Sequence, residues 1–332
     1  MKSLLFAILF LALISSCSTD IDLIAPYKET MVVYGLLNPD DPAHQYIRIS
    51  KAYLGEGNTV LMAGQKDSVN FADVLDVKMD RILNNVVVQT FTLTRIDTIP
   101  KSEGVFYNPY QVYYVLSQPI LTDGSEYRLR VRDTVTNVQC SSLTKVVGKI
   151  TVTLPSIVTT TADFAQDLRS LVKYSTHGNS KICNASIRFH YSELDTTTGI
   201  TTQKYTDWTF SDQQIGDEST VEFDYLRVDF YKVIASQVPV NPAVKRRVDN
   251  LPAGIKPVEF RMVVGSEDFY TYYLVSQPAS GIVQEKPLFT TIQNGLGLFT
   301  SRLIHSEFRD LNSNSKAAFD TSAFTRNLNF EF

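Results

Sequence analysis

Three cysteines, one tryptophan and four histidines are all that 332 residues contain, and each shortage removes a class of chemistry. So few thiols cannot build the disulfide framework of a small secreted domain. His44, His177, His190 and His305 stand far apart, without a His-x-x-x-His pair or a Cys/His spacing suited to zinc, so no metal site is expected. His190 alternates out of phase with Ile187 and Phe189 and reads as a surface residue. A Gly-x-Ser-x-Gly elbow and a phosphate-binding loop are both lacking. The glycine clusters Gly55-Glu-Gly57 and Asn294-Gly-Leu-Gly297 read as tight turns. Glu267-Asp268 suits a helix start and Asp217-Glu218 a loop, so no catalytic residue and no cofactor is assigned. The chain reads as a non-enzyme. A basic excess is missing too: 31 Lys and Arg face 35 Asp and Glu, a net charge of −4, whereas a nucleic-acid partner calls for a basic face. The single basic cluster, Lys245-Arg246-Arg247 between Pro242 and Pro252, reads as a solvated loop.

Long apolar runs are absent except at the start. Leu4 to Ile14 follows Lys2 and carries no charge, yet it falls short of the roughly 20 apolar residues that cross about 30 Å of hydrocarbon. It reads as a secretory signal. Ile14-Ser15-Ser16 then stand directly before Cys17, an arrangement that resembles the bacterial lipobox, in which the cysteine is lipidated and becomes the first residue of the mature chain. Residues 1–16 are therefore expected to be a lipoprotein signal, Cys17 the lipidation site and 17–28 a polar tether. Each buried methylene contributes about 0.8 kcal/mol, so three acyl chains at Cys17 make a permanent anchor where one would hold marginally. Ser18 replaces the Asp that favours retention at the inner membrane, which points to the outer membrane; Asp20 and Asp22 resemble the acidic signals of lipoproteins displayed outside the cell.

What is abundant is apolar and aromatic: 44% hydrophobic residues, with 17 Tyr and 19 Phe, enough for substantial cores. About 316 residues after the signal suggest two domains, expected at 29–150 and 151–332. Ile47 and Ile49 alternate with Tyr46, Arg48 and Ser50, and Leu75, Val77 and Met79 with Asp76, Lys78 and Asp80, the pattern of half-buried strands. With Met31 to Leu37, Val86 to Thr94, Tyr110 to Leu116, Tyr127 to Val131 and Val138 to Val146, about seven strands precede residue 150, which favours a sandwich. In Leu121-Thr-Asp-Gly-Ser-Glu-Tyr127-Arg-Leu-Arg-Val131 the turn at Asp123-Gly124 precedes a tyrosine placed like the corner tyrosine of fibronectin-III and Ig-like domains. The expected fold is thus mainly β: an N-terminal Ig-like or fibronectin-III-like β-sandwich, then a β-rich second domain with one or two helices. Helical spacing runs through Asp224 to Gln237, and Ser266-Glu-Asp-Phe opens a second helix that ends near Pro278. The heptapeptides from Tyr113 and Tyr272 fall on a strand and a helix and read as coincidence. Cys140 and Cys183 either staple the domains or remain separate buried thiols; spacing leaves both open and the second is simpler.

Two sets of side chains are candidates for surface chemistry. Tyr107, Tyr110 and Tyr113 crowd one segment beside Tyr114 and could stack on a glycan or a peptide; the competing reading makes them core and corner tyrosines. Ser68, Thr98, Thr134 and Thr196 each follow an Asp in triplets that resemble the O-glycan attachment motif of Bacteroidota.

Several words together resemble one family of Bacteroidota outer-membrane lipoproteins, the domain of unknown function 4249. They are the lipobox at Cys17, Met31-Val-Val-Tyr-Gly35, Arg48-Ile-Ser50, the Gly-x-x-Tyr-x-Leu-x-Val segment at Gly124 to Val131, and Asn294-Gly-Leu-Gly-Leu-Phe299. Thr300 stands where that family often has a further Gly, and 154–216 matches little of it. The resemblance implies an outer-membrane lipoprotein acting as an accessory, capture or docking subunit beside a TonB-dependent receptor, without transferred catalytic residues. A glycan-binding or adhesion module is the alternative, and a hydrolase with a site between domains comes last.

Overall fold

Period-two alternation becomes strand throughout the first half of the computed structural model, which describes residues 30–52, 59–107, 109–117, 121–277 and 288–332. The signal segment, Cys17, the tether, the Gly55-Glu-Gly57 cluster and Pro278 lie outside the described residues. Among the described residues, eight strands precede residue 150: β1 (Thr30–Leu37), β2 (His44–Ala52), β3 (Leu75–Leu83), β4 (Val86–Thr92), β5 (Thr94–Pro100), β6 (Tyr110–Ser117), β7 (Glu126–Asp133) and β8 (Gln139–Lys145). Two short helices, α1 (Thr59–Ala63) and α2 (Lys66–Val69), lie between β2 and β3. The second half adds β9 (Thr151–Leu154), β10 (Thr161–Ala162), β11 (Arg169–Thr176), β12 (Ile182–Asp195), β13 (Thr201–Thr209), β14 (Gln213–Gln214), β15 (Ser219–Leu226), α3 (Asp229–Gln237), β16 (Val244–Arg247), β17 (Val258–Gly265), α4 (Glu267–Ser276), β18 (Gly295–Leu311), α5 (Ser313–Thr321) and β19 (Phe330–Glu331). The chain is mainly β, with sandwich-like layering.

The first core lies between the sheet β18-β1-β2-β6-β5 and the sheet β4-β3-β7-β8. Met31, Val33, Ile47, Ile49, Tyr114 and Phe299 from one meet Val77, Met79, Tyr127, Leu129 and Val131 from the other. On β7 the inward residues are buried while Arg128, Arg130 and Arg132 face out. The Tyr127 hydroxyl accepts the Thr122 N–H at 3.0 Å, closing the corner that the sequence suggests. The second core lies between β12-β17-β18 and the smaller sheet β15-β11-β9, with α3 and α5 packed in. It is aromatic: Phe164 stacks on Phe230 at 4.0 Å between centroids, and Phe319 sits 5.4 Å from Phe189 and 4.9 Å from Phe330.

Strand β18 belongs to both cores. Gly295 to Ser301 pair in parallel with β1, and Arg302 to Arg309 pair antiparallel with β17. Its 17 residues extend about 56 Å at about 3.3 Å per residue. The parallel pairing explains Asn294-Gly-Leu-Gly297, which is the entry to this strand rather than a free turn. Gly297 has φ 111°, and a Cβ there would collide with the Val33 carbonyl oxygen. Polar contacts pin the junction: the Ser301 hydroxyl donates to the Leu37 carbonyl at 3.0 Å and accepts the Val147 N–H at 3.0 Å.

Other readings change too. The helical spacing at Asp224 to Gln237 splits, because Val221, Phe223 and Tyr225 alternate inward on β15 before α3 begins at Asp229. A third helix of the second half, α5, is capped by Asn312, which accepts the Ser315 N–H at 2.8 Å; its polar sequence hides it, although Phe319 is buried. Lys245-Arg246-Arg247 is strand β16 rather than a loop, and Arg246 is 1% exposed. Its guanidinium donates to the Leu328 and Pro239 carbonyls and to Glu193, which satisfies the buried charge. His190 is half-buried, not a surface residue, because Glu259 lies 2.7 Å from its Nε2. Cys140 and Cys183 are free thiols buried in different cores, and burial pushes their pKa values up to about 12 and about 11.

Candidate binding groove

The outer face of the first sheet carries what its inner face excludes. Alternation turns Met31, Val33 and Leu37 inward on β1 and leaves Tyr34 and Leu36 outward; β2 likewise presents His44, Tyr46 and Arg48, and β6 presents Gln111 and Tyr113. Register sets these side by side, with Tyr34 opposite Arg48 on one flank and opposite Leu298 of β18 on the other. The result is an open groove of about 560 Å³. Tyr34 and Tyr46 are each 42% exposed, a large fraction for aromatics on a sheet and enough to offer ring faces to a ligand. Tyr46 meets Tyr113 edge-on at 5.8 Å and His44 at 5.7 Å.

Helix α4 forms the far wall. Ser266 caps it, accepting the Phe269 N–H at 3.3 Å, and the same hydroxyl lies 2.6 Å from Thr300 Oγ1, which moors the helix to β18. Gly265 permits this close start, since a Cβ there would run into the Phe269 ring. Phe269 and Tyr272 consequently line the groove from above, and Arg302 of β18 lies 5.7 Å from the Phe269 ring centroid. Burial, and then the nearby Tyr272, push the Tyr34 hydroxyl pKa up.

Charge in the groove is lopsided. Arg48 donates twice to the Gln111 amide oxygen, at 2.7 and 3.0 Å, when that amide is turned toward it. In a recess beside the groove, Lys101 donates to the Tyr107 carbonyl at 3.0 Å, and burial together with Arg48 holds its pKa down. Burial, then the charge of Arg261, lowers the Arg302 pKa, and among the described residues its buried Nε has no hydrogen-bond partner. Four arginines elsewhere hold carboxylates: Arg130 grips Asp80 with two bonds of 2.7 Å, Arg188 grips Asp207 with two more of 2.7 Å, and Arg246 and Arg309 each meet a glutamate. Asp41 lines the groove too, but its Oδ1 already accepts the Ala43 and His44 N–H groups.

Of the expected contact tyrosines, Tyr113 lines this groove, while Tyr107 and Tyr110 line a small recess that shares Arg48 and Gln111 with it. Tyr114 points the other way, into the core, and burial raises its pKa to about 12. Sequence reasoning missed Tyr34, Tyr46, Arg48, Phe269, Tyr272 and Arg302. The outward phase of Tyr46 and Arg48 was legible in β2; the residues of α4 and β18 arrive only through the parallel β1–β18 pairing. Thr98, Thr134 and Thr196 are exposed and Ser68 is half-buried. Thr134 and Thr196 share a hairpin device: Asp133 and Asp195 each accept two backbone N–H groups of the turn, and the threonine hydroxyls donate to Val74 and Ala243 carbonyls at 2.8 Å.

One polar cluster in the second half resembles a hydrolytic triad and differs in the order of its links. Glu259 sits between His190, at 2.7 Å, and Ser306, whose hydroxyl donates to it at 2.6 Å. A triad needs the imidazole in the middle, where it can take the serine proton; here serine and histidine both serve the carboxylate. Burial pushes the Glu259 pKa up, but bonds from His190 and Ser306 and the charge of Arg261 outweigh it and hold the pKa below the ordinary value. Among the described residues no group of three or more His, Cys, Asp or Glu side chains is placed to hold a metal ion.

No family model matches the chain, and no curated protein matches it significantly. Among solved structures it is similar to trypsin-activated alpha-2-macroglobulin from Escherichia coli, at 10% identity over 72% of this chain. The match spans only 14% of that protein's length with a TM-score of 0.19, a likeness too slight to carry fold or function across.

Proposed function

We propose that this protein is a non-catalytic outer-membrane lipoprotein, held to the bilayer through Cys17, that captures a ligand in the β1-β2-β6 groove and works beside a TonB-dependent transporter. The observation that carries the reading is the groove itself: several aromatic rings stand outward on a rigid sheet where the alternation could have placed polar side chains, and helix α4 encloses them from one side. Apolar surface of this kind is retained where something binds. The lipobox-like residues before Cys17 and the short words shared with the Bacteroidota lipoprotein family supply the membrane and the transporter. A glycan is the ligand class that the groove favours, because tyrosine rings offer flat apolar faces and a hydroxyl edge at little cost in side-chain entropy. The test is an array of oligosaccharides and peptides probed with the mature chain and with Tyr46→Ala. Retention of a defined glycan subset that Tyr46→Ala loses, with its melting curve unchanged, supports the reading; equal binding by both proteins, or none across the array, contradicts it.

A further inference from the structure

We infer that the groove selects acidic oligosaccharides, with Arg48 and Arg302 as the carboxylate-recognising residues. The inference rests on the reading of the groove as a ligand site and adds the chemistry that site would prefer. Arg48 and Arg302 line one groove together with the rings of Tyr34, Tyr46, Tyr113 and Tyr272. Neither guanidinium forms an ion pair among the described residues, although the chain has more acidic than basic groups and Arg130, Arg188, Arg246 and Arg309 all find carboxylates. The positive groove is therefore not a by-product of a basic surface.

Arg302 is the more telling of the two. Among the described residues its buried Nε has no hydrogen-bond partner, and its neighbours are the Phe269 ring and a like charge, Arg261, that opposes it. A half-buried cation with unused donors is costly, and an incoming carboxylate, which a guanidinium can grip with two parallel bonds, removes that cost. Arg48 has given two donors to the neutral Gln111 amide, a weaker acceptor that an anion can displace. Arginine also suits a sugar acid because its plane can lie against rings while its edge bonds the carboxylate.

The architecture favours a glycan over an acidic peptide. Extended peptides gain affinity by pairing their backbone with an open sheet edge. Here β1 is paired on both sides, with β18 and with β2, over Met31 to Gly35, so the ring of Tyr34 stands on a sheet face and not beside a free edge.

The experiment is calorimetric titration of the mature chain with tetragalacturonate, with the same oligosaccharide as its neutral methyl ester, and with tetraglutamate. Loss of one bidentate contact to a charged group corresponds to roughly tenfold in affinity. The acid should bind at least roughly tenfold tighter than the ester. Arg302→Gln and Arg48→Gln should each erase most of that preference by weakening the acid far more than the ester, and added salt should weaken the acid more than the ester. Equal binding of acid and ester, or a preference untouched by both substitutions, overturns the acidic selectivity while the groove stands as a glycan site. Tighter binding of tetraglutamate overturns the glycan assignment. If neither sugar binds and Tyr46→Ala behaves as the parent, both the selectivity and the groove fail. Unchanged thermal melting of each variant separates these outcomes from loss of fold.

Discussion

Replacing Tyr127 by Phe deletes one oxygen from the first core and should cost a small, calculable amount. The Tyr127 ring is 0% exposed and its hydroxyl accepts the Thr122 N–H at 3.0 Å. Phe keeps the ring and its packing, so the loss is the hydrogen bond plus the amide left behind. Thr122 is only partly buried, so water can reach that amide, which places the cost at about 1–1.5 kcal/mol, the lower part of the range for a deprived buried donor. At an m-value of about 3 kcal/mol/M, the urea midpoint should fall by about 0.3–0.5 M. Tyr127→Ala, which also removes the ring, should cost about 3–5 kcal/mol. Far-UV circular dichroism reports the whole chain, whereas fluorescence of the single Trp208 reports the second core, where it packs against Tyr225 and Phe210. Because β18 runs through both cores, the two signals should shift together in Tyr127→Phe. A midpoint equal to that of the parent, or a Phe variant as weak as the Ala variant, would refute the corner hydrogen bond. A Trp208 transition that stays put while circular dichroism moves would refute the coupling through β18.

Two further perturbations probe the junction between the cores. Gly297→Ala places a methyl against the Val33 carbonyl at φ 111°, and the strained backbone alone costs about 1–2 kcal/mol before β18 shifts from β1; denaturation should show a loss above that figure, and a neutral result would contradict the parallel pairing. His305 lies 2.6 Å from Asp40 and 3.2 Å from Glu307, which Arg309 also holds. The bond to Asp40 outweighs desolvation and raises the His305 pKa above its usual 6.5. The added stability is therefore complete below about 6.5, the unfolded value, and fades as pH rises through the higher folded value. Denaturation midpoints measured from pH 6 to 9 should fall in the parent and flatten in His305→Gln; parallel curves would show that this contact contributes nothing.

Legibility in the sequence followed locality. The alternation of Ile47 and Ile49 against Tyr46 and Arg48, the turn before Tyr127 and the Ser266 cap are all short-range patterns, and each appears as read. The groove was half legible for the same reason: Tyr113 could be nominated, but its opposing wall comes from Phe269, Tyr272 and Arg302, which reach it only because β18 lies beside β1. Period alone does not announce a parallel partner so distant in the chain. Burial of Arg246 was hidden because its satisfaction depends on Leu328, Pro239 and Glu193, three residues from separate elements. Asp224 to Gln237 failed through ambiguity, since apolar residues on a strand and on the following helix ran together into one apparent helical stripe.

Tethered capture is tested most directly by isolating the protein from native outer membranes in mild detergent, then reading the mass of its N-terminal peptide and the identity of what comes with it. Triacylated Cys17 as the first residue, in a complex with a TonB-dependent receptor, is the expected result. An unmodified Cys17 thiol on a freely soluble chain, recovered alone, would contradict it.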